Sequence, residues 1–418
     1  MNILFLTIAY PDEHNRNIYS DLMHEFCRRD HNVYVLCSSE RRLGKSTQYA
    51  QEKGIMVVRQ KTLNLTQTNL LEKGLGTVLI ETQFIQTIKK FFSGIKFDLV
   101  MYSTPPITFD KAVRFLKDRD SCMSYLLLKD IFPQNAVDLS MMKRNSLIWR
   151  YFRRKEKRLY AISDYIGCMS KANVEYVLQH NPEFSAKKVE ECPNSINPRV
   201  FQHNSVAIGQ MRTKYALPAD AVICMYGGNL GKPQGIGFLI EILKAVSQRK
   251  DVFFLIVGSG TEYTLIEEYL IKTRQVNARL MKYLPKDDYD QLIQTCDIGL
   301  IFLHPDFTIP NFPSRLTAYM EAALPVLAAT DINTDIKDVL LNGECGLWAK
   351  SGDLDSFLAN LNLLVSNSKL RTDMGMASRR YLEEHYTVAR SCDIIERHFP
   401  KKDEAGFVSR RGPNETHI

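Results

Sequence analysis

The chain has little of what would place it in a membrane, outside the cell or around a metal. No apolar run approaches the roughly 18 residues that a bilayer-spanning helix needs. The opening Met1-Asn-Ile-Leu-Phe-Leu-Thr-Ile-Ala lacks the basic start and long apolar core of a secretion signal, so a cytoplasmic location is expected. Nine cysteines stand singly, with no Cys-x-x-Cys pair and several inside apolar runs, which predicts reduced core thiols rather than disulfides or a zinc site. The nine histidines show no ligand spacing. Asp353-Leu-Asp355 imitates a metal-binding pair, but it follows Ser-Gly ahead of a helical pattern and reads as a helix cap. No metal is assigned. No helix-turn-helix, zinc or aromatic ribonucleoprotein signature is present, and no nucleic-acid partner is expected.

What is present is material for large cores. With 418 residues, 45% of them hydrophobic, the chain exceeds the size at which a single core keeps growing, and two domains follow. Short apolar runs (Ile3 to Ile8, Val33 to Cys37, Leu99 to Tyr102, Ser124 to Leu128, Tyr165 to Met169) alternate with helical patterns such as Ser20 to Arg29 and Ile80 to Phe92. The rhythm restarts with Val222 to Tyr226, Val252 to Val257, Ile298 to Phe302 and Val326 to Ala329. This is the pattern of parallel sheets covered on both faces. The predicted fold class is α/β, two doubly wound domains joined near residues 194–215. The charged stretch after Pro400 reads as a disordered tail, 401–418.

The net charge of +7 is concentrated. Lys143, Arg144, Arg150, Arg153, Arg154, Lys155, Lys157 and Arg158, against Glu156 alone, account for all of it. Leu147, Ile148, Trp149, Tyr151, Phe152 and Leu159 interleave with these cations at helical spacing, predicting a basic amphipathic helix over 143–159. Such a segment suits an anionic membrane surface; a plain solvated helix face has the same pattern.

Three turns carry anion-seeking chemistry, each with a bland counterpart. After the strand Val222 to Tyr226 comes Gly227-Gly-Asn-Leu-Gly-Lys-Pro-Gln-Gly235, where glycines admit a bulky anion to the backbone and Lys232 adds a charge; a tight turn without a ligand would look alike. Gly258-Ser-Gly260 is a weaker copy. Pro313 and Ser314 start a helix with Arg315 in its first turn, which is either a phosphate seat or an ordinary capped helix. In doubly wound sheets these loops share the carboxyl edge of the strands. Two such turns on one edge argue for a diphosphate.

The order of Tyr226-Gly-Gly-Asn-Leu-Gly-Lys-Pro-Gln-Gly235, Leu255-Ile-Val-Gly-Ser-Gly260, Cys296-Asp-Ile-Gly-Leu300, Pro313-Ser-Arg-Leu316 and Ala318-Tyr-Met-Glu-Ala-Ala-Leu-Pro-Val-Leu-Ala328 resembles the donor-binding half of family four glycosyltransferases, of the GT-B fold. Ser20 to Leu36, Ser163 to Ser170 and Cys192 to Asn197 are similar to the first half of that family. Lys129-Asp-Ile-Phe-Pro-Gln134 resembles a turn of the subgroup that builds bacterial capsule and O-antigen. The resemblance implies an acceptor-binding domain over 1–195, a donor-binding domain over 196–385 and a helix at 386–400 returning to the first domain.

It also implies a metal-independent, retaining hexosyl or N-acetylhexosaminyl transferase that uses a nucleotide sugar, a UDP-sugar by expectation, without a further cofactor. By this likeness Arg315 and Lys232 offset charge on the leaving group, and Asp130 orients or deprotonates the acceptor hydroxyl. Gly228, Asn229, Gly231, Gln234, Gly258, Pro313 and Ser314 border the donor, as does the turn from Lys282 to Pro285. His14 and Arg16 face the acceptor. The family's paired glutamates are replaced by Pro310 and Ala318; Glu321, one turn on, either reaches the donor or is an exposed helix carboxylate. The expected reaction moves a sugar, plausibly an N-acetylhexosamine or its deoxy form, onto a polyprenyl-diphosphate-linked acceptor at the inner face of the cell membrane. A nucleotide-sugar 2-epimerase on the same fold and a non-catalytic donor-binding subunit are the competing readings. Oligomeric state is not encoded in any of these motifs.

Overall fold

The computed structural model describes residues 1–66, 68, 70–200, 205–282 and 284–399; the expected tail at 401–418 and Tyr283 of the 282–285 turn lie outside them. Eight strands form the first sheet: β1 (Asn2–Thr7), β2 (Asn32–Glu40), β3 (Gln48–Glu52), β4 (Ile55–Thr62), β5 (Leu99–Ser103), β6 (Met123–Leu128), β7 (Tyr165–Cys168) and β8 (Val189–Glu191). Their order is β3-β4-β2-β1-β5-β6-β7-β8, parallel except for the β3–β4 hairpin at one edge. The helices α1 (Ile18–Arg28), α2 (Leu70–Phe91), α3 (Asp110–Asp120), α4 (Gln134–Asp138), α5 (Leu147–Ile162) and α6 (Lys171–His180) connect them. Ile3, Leu4, Phe5 and Leu6 of β1 are all fully buried, because helices cover both faces of the sheet.

The second sheet is wholly parallel, in the order β11-β10-β9-β12-β13-β14. It comprises β9 (Val222–Asn229), β10 (Val252–Ser259), β11 (Ala278–Met281), β12 (Ile298–Phe302), β13 (Val326–Thr330) and β14 (Gly346–Lys350). Its helices are α7 (Ser205–Lys214), α8 (Ile236–Ala245), α9 (Tyr263–Thr273), α10 (Lys286–Ile293), α11 (Arg315–Glu321), α12 (Ile336–Asn342), α13 (Leu354–Ser366) and α14 (Ser368–His385). Asp353 caps α13, accepting from the Ser356 backbone N–H at 3.1 Å. Strand order reverses between β1 and β5 in one sheet and between β9 and β12 in the other. Those two switch points open the crevices where ligands of such sheets gather.

A last helix, α15 (Val388–Glu396), lies on α1. Arg29 of the α1 cap reaches Asp393 and Glu396 at 2.7 Å each, and His31 meets Glu396 at 2.8 Å. The outgoing chain at Ile196 and the returning chain at Thr387 run side by side as a parallel bridge, with hydrogen bonds of 3.0 Å from Ile196 N–H to Tyr386 and from Val388 N–H to Ile196. Among the described residues no helix is long and apolar enough to cross a membrane, and no group of three or more His, Cys, Asp and Glu could hold a metal ion. All nine cysteines are free, eight of them buried.

Candidate active site

The turn after β9 and the segment between β12 and α11 meet at the second switch point. Gly228 takes φ +126°, a conformation that a side chain would strain, and the Arg315 guanidinium packs against it: a Cβ there would lie 3.3 Å from Nη2. Gly258 on β10 comes so close to this turn that a Cβ would sit 1.8 Å from the Gly228 carbonyl oxygen. Leu230 N–H donates to Ser259 and Glu262 N–H to Leu230, each at 2.9 Å, tying the two turns together. Gln234 accepts from the Asn229 amide at 2.7 Å and from the Gly231 backbone N–H at 3.2 Å. Asn229 and Gln234 therefore hold the shape of the turn with their side chains.

Arg315 sits in a cage of tyrosines. Its guanidinium carbon lies 4.4 Å from the ring centroid of Tyr226, with Tyr319 and Tyr289 beside it. Tyr319 accepts from the Gly227 backbone N–H at 3.0 Å. Burial pushes all three phenols up, Tyr289 to about 12, so they stay neutral at physiological pH. Burial opposes the charge on Arg315, yet the surrounding phenol oxygens raise its pKa above the ordinary arginine value. Nη1 is buried without a hydrogen-bond partner, and no carboxylate pairs with Arg315 among the described residues. An orphaned buried donor of this kind carries a cost that an oxyanion can remove.

Several expectations change in this setting. Ser314 is helical, with φ −64° and ψ −17°, and its side chain caps nothing, because α11 begins at Arg315 in a single tight turn. The Pro313 carbonyl accepts from Leu316 N–H at 3.2 Å. Glu321 is neither exposed nor turned toward the β9 turn. It is 6% exposed and accepts from the Arg199 backbone N–H at 2.9 Å and from the side chains of Arg199 and Arg16. Arg16 is occupied as well, donating to Asp21 at 2.8 Å and to the Asn197 carbonyl at 3.1 Å, so it pins the β1–α1 loop to the second domain. Lys232 crosses the cleft the other way, its Nζ donating to the Leu139 carbonyl at 2.6 Å.

On the first domain, Asp130 follows β6. Its carboxylate accepts from the Asn135 amide at 2.7 and 2.8 Å, and its backbone N–H donates to Thr104 at 3.1 Å. His14 is exposed on the loop after β1. A cleft cavity of about 330 Å³ adjoins the cage, lined by Arg16, Arg199, Lys286, Tyr289, Ser314 and Ala318 among others.

The basic segment forms α5 from Leu147 to Ile162, so Lys143 and Arg144 precede the helix. Ser146 caps it, accepting from Trp149 N–H at 3.2 Å. Three cations face inward or pair. Lys155 is buried against Asp110 at 2.9 Å; Arg153 reaches Glu156, the His180 carbonyl and Asn181; Lys157 meets Glu183 at 2.8 Å. Arg150, Arg154 and Arg158 remain exposed, next to Leu147 at 83% exposure, Ile148 at 62% and Tyr151 at 41%.

Residues 208–381 match the family model described as Glycosyl transferases group 1. The chain is 22% identical over 334 residues to the probable glycosyltransferase WbjE of Pseudomonas aeruginosa, covering 77% of this chain and 78% of that protein. It is 26% identical over 202 residues to the capsular polysaccharide biosynthesis glycosyltransferase CapM of Staphylococcus aureus, covering 46% and 50% respectively. Among solved structures, sucrose-phosphate synthase from Thermosynechococcus elongatus superposes with a TM-score of 0.76 at 13% identity over 97% of this chain and 100% of that one. HepE of Anabaena in complex with UDP-glucose gives 0.69 at 14% identity over 95% and 99%. The fold is GT-B, two Rossmann-like domains facing across a cleft. The family match spans the second domain, and together with the relatives it supports a glycosyltransferase of this fold.

Proposed function

We propose that the chain transfers a sugar, an N-acetylhexosamine or its deoxy form, from a UDP-sugar to a polyprenyl-diphosphate-linked acceptor in the assembly of a bacterial capsule or O-antigen. The observation that carries this reading is Arg315, a half-buried cation whose buried Nη1 is unpartnered, in a neutral cage against the β9 turn. The role of CapM in capsular polysaccharide biosynthesis and the UDP-glucose bound to HepE support the pathway and the nucleotide. In this reading the diphosphate lies between Gly228 and Arg315, and the rest of the nucleotide enters the adjoining cavity. Arg315 stabilises charge as the leaving UDP departs. Asp130, held by Asn135, orients the acceptor hydroxyl, whose proton passes to a donor phosphate oxygen as the anomeric configuration is retained. The nucleotide sugar is the sole cosubstrate.

The test incubates purified protein with UDP-sugars, with and without membranes containing the lipid acceptor. Label is expected in the lipid fraction only when donor and acceptor are both present. Conversion of a UDP-sugar without acceptor would establish the epimerase instead, and UDP binding without turnover in competent membranes would establish a binding subunit.

The exposed end of α5 completes the proposal, placing the enzyme on the inner face of the cell membrane. Leu147, Ile148 and Tyr151 enter the interface while Arg150 and Arg154 meet anionic headgroups. At about 1 kcal/mol per cation, Arg150→Gln with Arg154→Gln should lower binding to phosphatidylserine vesicles about thirtyfold. Arg153→Ala should instead lower the melting temperature, since it unpairs Glu156, and leave vesicle binding nearly intact. Co-sedimentation and thermal melts read the two effects, and equal vesicle binding by the double variant would refute the docking face.

A further inference from the structure

The segment that delivers Arg315 to the site hangs from the second domain but is fastened to the first. It leaves β12 at Leu303 and ends at Ser314. Leu303, Phe307 and Ile309 are buried in the apolar cluster of the first domain, alongside Ile131, Leu139 and Val177. Its backbone is gripped by first-domain side chains at successive points. The Asp138 carboxylate, at the end of α4, accepts from Thr308 N–H at 2.8 Å, from the Thr308 hydroxyl at 2.9 Å and from Ile309 N–H at 3.3 Å. The Asn173 amide donates to the Pro310 carbonyl, and Asn194 donates to the Phe312 carbonyl at 3.2 Å. Both asparagines are almost wholly buried, 1% and 4% exposed. Three residues beyond the last of these contacts, α11 begins at Arg315.

We infer that Asp138, Asn173 and Asn194 are positioning residues, by which the acceptor-side domain sets the place of the diphosphate-binding arginine. The same short helix serves both halves of the reaction: Asn135 of α4 holds the Asp130 carboxylate, and Asp138 of α4 holds the Arg315 segment. A displacement of α4 therefore reaches both sites, and donor affinity depends on how the first domain is seated. The inference rests on Arg315 as the diphosphate contact.

The experiment compares wild type, Asp138→Ala and Asp138→Asn for UDP affinity by calorimetry and for hydrogen exchange across residues 304–315. Asp138→Ala is expected to weaken UDP binding about tenfold, within the usual range of coupling between sites. It should also lose exchange protection at Thr308 and Ile309 while β9, β10 and β12 keep theirs. Asp138→Asn, which retains one acceptor oxygen, should recover part of both. Unchanged UDP affinity in Asp138→Ala, with wild type binding normally, overturns the inference. If wild type binds no UDP, the functional reading fails on its own, and unchanged exchange in 304–315 then separately rules out ordering of the segment by Asp138.

Discussion

Arg315→Ala is expected to lower the rate of sugar transfer at saturating donor and acceptor by about 10² to 10³-fold, the loss typical of one preorganised donor to a developing oxyanion. The melting temperature should not fall with it. A half-buried cation with a buried, unpartnered Nη1 costs stability, and removing it relieves that cost even as the cage empties. Arg315→Lys should recover little, because an ammonium lacks the planar guanidinium that packs against Tyr226 and Gly228 and the fork of parallel N–H donors it offers. Turnover near wild type in the alanine variant would remove Arg315 from the chemistry.

The second large effect belongs to a residue with no functional group. Gly258→Ala should lower both the melting temperature and UDP affinity, because the added methyl would overlap the Gly228 carbonyl, 1.8 Å away, in the turn proposed to hold the diphosphate. Overpacking of this kind costs about 1–3 kcal/mol. Gly237→Ala is the matched control: nothing lies within 4 Å of a Cβ there, and in α8 alanine should be neutral or slightly stabilising. Thermal melts with and without UDP read both variants. If the two glycine variants behave alike, backbone contact between β10 and the turn is not what holds the site.

Much of the fold was legible because most strands are buried on both faces and therefore read as unbroken apolar runs. Those that escaped are short or at sheet edges, except Ile55–Thr62, eight residues long and one place in from the edge. Gln48–Glu52 is polar and exposed, Val189–Glu191 is three residues long, and Ala278–Met281 and Gly346–Lys350 are less apolar than the central strands. At the site, the glycine turn and Arg315 announced themselves by type and position. The tyrosine cage did not, since Tyr226, Tyr289 and Tyr319 come from a strand and two helices that only the fold brings together. Glu321 lines the cleft cavity but is buried rather than exposed, which the sequence could not show because its partners Arg16 and Arg199 lie 305 and 122 positions away. On α5, spacing alone could not tell Arg153 and Lys155, which are satisfied internally, from Arg150 and Arg154, which face out.

The bridge between Ile196 and Thr387 has a mechanical meaning. Two chain segments leaving and re-entering the first domain side by side behave like the paired knuckles of a door hinge. A single crossing would let the domains swivel in any direction; two parallel crossings, with α15 bolted to α1, resist swivelling and leave a swing about one axis. Any swing about that axis would keep the two crevices facing each other, but it would have to draw Leu303, Phe307 and Ile309 out of the first-domain cluster.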